Sequence, residues 1–266
     1  MRLRIRIRRA GVVTAAAVAA TAAVVTLGGC GSAKTGKVAD AVKGAPSSSA
    51  PADGFDVEEA VRKADPAPYS VQMDAKTYVG SRHTITISGR ANLNAPMTAS
   101  MRMRSAPAAP VELGIDMEMI ATPEGTYGRG RIVNFDTGGR WTKLPAGGDD
   151  GAQDFDKYTR MMLDLGPSAR KGVEKQGGEP AYRLSGTLTQ DMARKADPKL
   201  YNNMRTKGLR QIDCDLWVNK AGRVVRLEQW MGAGGQKGHN VVVLKDFGAP
   251  VKITAPSASE VKPFEG

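Results

Sequence analysis

Apolar and polar residues alternate through the middle of the chain. The stretches "SRHTITISGRANL" from Ser81 and "MTASMRMRS" from Met97 place apolar side chains at every second position. A third stretch, "VELGIDMEMIATPEG" from Val111, continues the pattern through Met119. A period of two with one apolar face is typical of antiparallel strands that bury one side and leave the other in water. The sequence therefore predicts an antiparallel sheet with one covered face.

The period changes at three places where helices are expected. In "QDFDKYTRMMLDL" the apolar residues from Phe155 to Leu165 are three and four positions apart, and Gly166-Pro167 follows as a stop signal. This spacing predicts an amphipathic helix. A short helix is predicted at "DVEEAVRK", and a further helical region, broken near Pro198, is predicted at "TQDMARKADPKLYNNMRTKG".

Further strands are predicted in the C-terminal half. The strand-like stretches are "PAYRLSGTLTQD", "LRQIDCDLWVN", "GRVVRLEQWMG" and "HNVVVLKDFG". The turn residues Asn219 to Gly222 predict a hairpin with Trp217 and Trp230 on its two neighbouring strands. Together these elements predict an α+β fold, a long antiparallel meander with helices inserted in two places.

The N-terminus has the pattern of a lipoprotein export signal. Five arginines precede the apolar run "GVVTAAAVAATAAVVTL", and Leu27-Gly28-Gly29-Cys30 resembles a lipobox. We therefore predict a signal peptide at residues 1–29, lipidation of Cys30, a flexible tether at residues 30–54 and a folded domain at residues 55–266. A simple secretory peptide, an uncleaved anchor and a twin-arginine signal at Arg8-Arg9 are the alternatives.

Charge and cysteine content narrow the choice of partners. Removal of the five signal-peptide arginines from a formal charge of +11 leaves about +6, scattered along the chain. This scatter disfavours nucleic acid as a partner. Cys214 is the second of two cysteines, so the mature chain is expected to lack an intramolecular disulfide. The membrane is the expected partner, through a diacylglycerol on Cys30.

The polar residues do not form a catalytic or metal-binding motif. His83 and His239 lack partners at metal-ligand spacing, so structural or surface roles are expected for both. Asp213 and Asp215 flank Cys214 on a predicted strand, which is typical of a solvated sheet face with an inert buried thiol. The stretch "GAGGQKG" from Gly232 is interpreted as a hairpin loop. We expect neither an enzyme nor a cofactor nor a bound metal.

Methionines are concentrated on the faces predicted to point inwards. Met is flexible and polarizable, so a methionine-rich wall can repack around apolar ligands, or it can fill an irregular core. Both interpretations remain open from the sequence. The candidate ligand-cavity residues are Met97, Met101, Met103, Leu113, Ile115, Met117, Met119 and Met162.

The C-terminal strands resemble a known family. The stretches "DLWVNKAGRVVRLEQ" and "LKDFGAPVKITAPSASEV" look like the C-terminal half of the LppX/LprG family of actinobacterial lipoproteins. The resemblance implies a fold similar to the LolA/LolB lipoprotein carriers: a curved antiparallel half-barrel with helices packed on its concave face. It also implies an apolar cavity, which in some members of the family holds the acyl chains of envelope lipids.

Two functions of different classes follow from these observations. The first is a non-catalytic carrier or binder of lipid, anchored to the extracytoplasmic face of the cell membrane. The alternative is an interaction or signalling module with a filled core that binds an envelope protein. A hydrolase acting on envelope polymers is a third and weaker interpretation. Void volume between the sheet and the helices separates the first two.

Overall fold

A computed structural model describes residues 54–94, 96–107, 109, 114–132, 135–145, 154–233 and 236–264. The predicted signal peptide, Cys30 and all of the predicted tether except Gly54 lie outside the described residues, as does the candidate cavity residue Leu113. The domain boundaries predicted from the sequence therefore stay predictions.

Strands make up most of the described fold. The 13 strands are β1 (Tyr69–Val79), β2 (Arg82–Leu93), β3 (Thr98–Ser105), β4 (Asp116–Thr122), β5 (Gly125–Ile132), β6 (Phe135–Asp136), β7 (Trp141–Lys143), β8 (Arg170–Gln176), β9 (Glu179–Thr189), β10 (Gln211–Asn219), β11 (Val224–Ala233), β12 (Gln236–Gly248) and β13 (Val261–Lys262). The helices are α1 (Val57–Arg62), α2 (Phe155–Asp164), α3 (Gln190–Ala196) and α4 (Pro198–Thr206).

All these strands belong to one open sheet. Its order is β13-β7-β5-β4-β3-β2-β1-β12-β11-β10-β9-β8, with β6 paired to β5. Neighbouring strands are antiparallel, except that β13 runs parallel to β7. Among the described residues, the first and last strands of the order are edges, so the described sheet is open rather than closed into a barrel. The predicted α+β class with an open antiparallel half-barrel is confirmed.

One face of the sheet carries the core in a continuous register. Met101 lies opposite Met119, and Met103 lies opposite Met117, on β3 and β4. The same alternation continues across the sheet to Leu184 on β9. The predicted strand from Val111 starts later than expected, because β4 begins at Asp116. We call the buried side the inner face and the opposite side the outer face.

The helices pack against the inner face. The side chain of Asp154 caps α2 by accepting a hydrogen bond from the backbone N–H of Lys157. At the other end of α2, Leu165 fills the space over Gly186 of β9. The break predicted near Pro198 is confirmed: Asp197 ends α3 and caps α4, whose first residue is the proline.

The predicted tryptophan hairpin is confirmed. β10 and β11 pair, with Asp213 opposite Trp230 and Trp217 opposite Arg226. In the turn, Gly222 has φ +75°, and a Cβ there would lie 2.2 Å from the backbone oxygen of Ala60 in α1. Glycine is thus required both for the conformation and for the approach of α1.

We expect Gly89→Ala to destabilise the sheet. A Cβ at Gly89 would lie 2.1 Å from the backbone oxygen of Ser100 and 2.8 Å from the Cα of Met101, so β3 would have to move. The expected loss is about 1–3 kcal/mol of unfolding free energy in urea titrations. Gly248→Ala is the control, because its Cβ would meet nothing closer than the Ser70 hydroxyl at 3.7 Å. Equal stability of the two variants would contradict this account of the β2–β3 contact.

Candidate ligand-binding site

A wall of methionines lies on the inner face of β3 and β4. Met101, Met103, Met117 and Met119 are each less than a tenth exposed. Glycines face them from both neighbouring strands: Gly89 lies opposite Met101, Gly128 opposite Met119 and Gly130 opposite Met117. Because glycine has no side chain, the long methionine side chains occupy the space that these positions leave.

These glycines are part of the site that sequence reasoning missed. A Cβ at Gly128 would lie 3.1 Å from the Met117 sulfur and 3.3 Å from Leu144 Cδ1. Larger residues at this position would therefore press on the methionine wall. The sequence "TYGRGRI" contained a signal for this arrangement, because Gly128 and Gly130 take two alternate positions on one face of a strand.

One row of polar side chains crosses the inner face on four neighbouring strands. Cys214, Gln229, Asn240 and Thr77 are direct neighbours on β10, β11, β12 and β1, and all four are buried. Gln229 Nε2 donates a hydrogen bond to the Tyr158 hydroxyl of α2 at 3.2 Å. Gln229 Oε1 is buried without a hydrogen-bond partner among the described residues. This oxygen can accept a hydrogen bond inside the apolar core.

The thiol in this row is chemically quiet. Burial is the main cause of the raised pKa of Cys214, and the carboxylate of Asp213 raises this pKa further. The hydrogen bond with Gln229 lowers it, and the carboxylate of Asp215 adds a smaller increase. The thiol therefore stays protonated at neutral pH, which agrees with the inert buried cysteine expected from the sequence.

A pocket of about 460 Å³ opens at the end of the inner face where β1 begins and β2 ends. This size is typical of ligand pockets. Its apolar lining comes from the sheet and from α2: Tyr69, Leu93, Met97 and Phe155. Its polar lining comes from the start of α2, the α3–α4 junction and the end of β2: Asn94, Asp154, Asp156, Lys157, Asp197 and Lys199. An apolar floor with a charged rim suits a ligand that has one apolar and one polar end.

Desolvation shapes the ionisation of two groups at this pocket. Burial raises the pKa of Tyr69 to about 12; Asp156 adds to the increase, and Arg223, whose guanidinium lies 4.2 Å from the tyrosine ring centroid, opposes it. The pKa of Asp156 is raised by desolvation and then by the neighbouring Asp154, while Arg160 opposes the shift. The Tyr69 phenol is therefore neutral at pH 7. Ionisation of Asp156, whose pKa is raised, lowers the free energy of unfolding.

The structure distributes the predicted cavity residues over two regions. Met97 lines the pocket, where it is partly exposed. Ile115, which precedes β4, is buried in the core together with the four methionines of the wall. Met162 is also fully buried and reaches towards Gly186 on β9. Their assignment to a ligand cavity stays a prediction.

One expectation about the polar residues needs correction. Asp213 is exposed, as expected for a solvated sheet face, but Asp215 is buried and its carboxylate lies 2.6 Å from the Arg183 guanidinium. The ion pair compensates the loss of water around Asp215. Within the described ranges no group of three or more His, Cys, Asp or Glu side chains could hold a metal ion. No helix among the described residues is long and apolar enough to cross a membrane.

We expect Asp156→Asn to stabilise the fold near pH 7. A raised pKa in the folded state means that ionisation of Asp156 lowers stability as the pH rises through that pKa. The amide removes this cost, by less than about 1 kcal/mol at such an exposed group. The gain should vanish near pH 3, where the carboxyl is protonated in both states. Urea midpoints at the two pH values measure the effect, with Glu124→Gln in the exposed β4–β5 turn as the control. A loss of stability near pH 7 would contradict the prediction.

The comparisons with known proteins give structural neighbours. No protein-family model and no curated protein matches the chain. The chain is similar to the structure of LprF from Mycobacterium bovis, with 17% identity over 76% of this chain and 97% of that one and a TM-score of 0.45. It is similar to the lipoprotein LppX from Mycobacterium tuberculosis, with 14% identity over 74% and 94% of the chains and a TM-score of 0.41. A LolA superfamily protein from Nitrosomonas europaea shows 10% identity over 77% and 96% of the chains and a TM-score of 0.30.

Proposed function

We propose that the protein is a membrane-anchored, non-catalytic carrier that binds the apolar chain of a lipid between its sheet and its helices. The observation that carries this proposal is the continuity between the pocket floor and the methionine core. Tyr69, Leu93 and Phe155 belong to the same buried cluster as the methionine wall, and Met97 packs against it. A chain entering the pocket would therefore enter the edge of the buried cluster that contains the methionine wall.

The energetics of such binding need no charged chemistry inside the core. Each buried methylene contributes about 0.8 kcal/mol, so an acyl chain of ordinary length supplies ample affinity. The charged rim, with Lys157 and Lys199 beside Asp154 and Asp156, keeps the polar end of the ligand at the surface. The buried oxygen of Gln229 offers one acceptor to a ligand that carries a hydroxyl group along its chain.

The anchor that this function requires is predicted from the sequence. A diacylglycerol on Cys30 would hold the protein at the membrane, and two acyl chains give stable anchoring. A flexible tether of the predicted length, residues 30–54, spans roughly 25–30 Å on average. The pocket would then stay within reach of the lipid surface.

A filled core that serves a protein-binding module is the second candidate. The near-complete burial of Met101 and Met117 favours it, because those side chains occupy the space that a ligand would take. The two candidates differ in whether the methionine wall gives way to a chain, which substitutions can test.

We expect Met97→Trp to abolish lipid retention with little loss of stability. The indole should fill the open pocket, because Met97 is partly exposed there. Native mass spectrometry detects co-purifying lipid, and urea midpoints report stability. Met192→Trp is the matched control, since Met192 is also partly buried but lies on α3 and does not line this pocket.

Met101→Phe and Met117→Trp extend the same test into the wall. A wall that makes room for a chain also makes room for a ring, so near-native urea midpoints with loss of bound lipid are expected. In a rigid, filled core the same substitutions cost about 1–3 kcal/mol. Marked destabilisation, with no lipid on the parent protein, would defeat the carrier proposal and favour the interaction module.

We expect Cys30→Ala to abolish labelling of the protein by a metabolically supplied fatty acid. Cys30 stands at the end of the predicted lipobox, whereas Cys214 is buried in the core. Cys214→Ala should therefore keep the label and serves as the control. A label that persists in Cys30→Ala would contradict the proposed anchor.

A further inference from the structure

Four rings form a stacked row on the outer face. Trp230, His239, Tyr78 and His83 lie side by side on β11, β12, β1 and β2. The ring centroids of Trp230 and His239 are 4.7 Å apart with an interplanar angle of 4°. Tyr78 lies 5.4 Å from His239 and 5.1 Å from His83. The imidazole of His239 covers one face of the Trp230 indole and so restricts its orientation.

Trp230 lies opposite Asp213 on β10, and both residues line a pocket of about 710 Å³. Trp230 is 37% exposed, although tryptophan is normally well buried. Four glycines leave room around it: Gly80, Gly208, Gly232 and Gly238. A flat, electron-rich ring face is therefore presented at the side of an open pocket. This pocket lies at the end of the sheet opposite the pocket at Tyr69 and Met97, which we call the lipid pocket after its proposed function.

Some polar side chains at this pocket have partners: Asp213 accepts a hydrogen bond from Thr187, and His239 lies 2.9 Å from Glu228. Three others lack such partners, unlike the arginines elsewhere on the outer face. Arg183 pairs with Asp215, and Arg102 pairs with Asp116. In contrast, the side chains of Arg210, Gln211 and Lys237 make no hydrogen bond or ion pair with the described part of the chain, and all three line the pocket. Their donors are thus available to acceptors on a ligand.

We propose that this outer pocket binds a sugar ring that carries a phosphate group. The C–H groups of a sugar ring stack on the free face of the Trp230 indole. The Asp213 carboxylate, already held at 2.6 Å by the Thr187 hydroxyl, accepts hydrogen bonds from sugar hydroxyls. Arg210 and Lys237 supply the positive charge for the phosphate.

Three parts of the lining favour this chemistry over other ligands: the indole, the carboxylate and the two cations. An acyl chain would make no hydrogen bond with the donors of Arg210 and Lys237, so it would not use the charge of the pocket. A phosphate alone would not use the indole face. A neutral sugar would bring no negative charge to Arg210 and Lys237, although the pocket lining holds two such cations and a single carboxylate, that of Asp213. A phosphorylated sugar satisfies the indole, the carboxylate and the cations together.

Calorimetric titration of the full-length protein in detergent tests the proposal. The probes are glucose 6-phosphate, mannose 6-phosphate, glucose, glycerol 3-phosphate and inorganic phosphate. At least one hexose phosphate should bind more tightly than the last three, and Trp230→Ala should weaken its binding about tenfold. Trp230→Phe should retain most of the affinity because it keeps a ring face. Lys237→Ala should weaken hexose phosphate binding and leave that of glucose unchanged.

Controls separate a built site from general attraction to anions. Val251→Ala removes an equally exposed apolar side chain and should change nothing. Equal binding of inorganic phosphate or glycerol 3-phosphate, insensitivity to Trp230→Ala, or no binding by either hexose phosphate would overturn the proposal. A short-chain phosphatidylinositol that binds more tightly than inositol 1-phosphate would identify a lipid headgroup as the source of the ring; equal affinities would identify the free phosphorylated sugar. Met97→Trp should leave all these affinities unchanged, so this test is independent of the lipid pocket.

Discussion

Burial of a single sheet face is the constraint on which the rest of the structure depends. A slip of one residue in any strand would turn its apolar side chains to the water and its charged ones to the core. Where β1 and β12 pair irregularly, a bulge keeps the apolar side chains on the inner face. Asp246, with φ +51°, lies at a bulge between β12 and β1. Beyond this bulge the ring centroids of Phe247 and Tyr69 are 5.9 Å apart, so the core continues to the pocket that Tyr69 lines.

The outer face of the sheet carries paired charges, whereas the inner face carries mainly apolar side chains. On the outer face, Asp215 and Glu228 lie directly opposite each other, an arrangement that like charges disfavour. Arg183 pairs with Asp215, Arg226 pairs with Glu228, and both guanidiniums lie 5.4 Å from the Trp217 ring. On the inner face, the polar row of β10, β11, β12 and β1 is neutral, and the methionine wall of β3 and β4 carries no charged side chain. A lipid chain in this part of the core, as proposed, would therefore meet neutral side chains.

Local patterns predicted much of this fold, and long-range contacts explain what was missed. The strands at Ile85 and Met101, the helix at Tyr158 and the Trp217 hairpin were predictable because period, caps and turns lie within a few residues. The alternation in "YSVQMDAKTYV", now β1, was missed, and its pairing with β12 joins segments more than 150 residues apart. The pocket at Tyr69 and Met97 is assembled from segments distant in sequence, so Met97 is the one lining residue that the sequence analysis predicted for a ligand cavity. The polar row was not predictable either, because it exists only in the register of four strands.

Burial of the methionine wall and binding of a lipid chain are compatible. A permanently empty apolar cavity costs about 24 cal/mol per Å³, so one of several hundred Å³ would consume most of the 5–15 kcal/mol that stabilises a typical domain. A carrier without ligand must therefore let side chains close the space. Methionine suits this role because it is unbranched and adapts to irregular gaps. Gly89, Gly128 and Gly130 lie beside the wall and hold no side chain. In the proposed carrier, the pocket beside Met97 would be the entrance to the closed core. A core that is solid when empty and yields from one end is the arrangement that reconciles these two requirements.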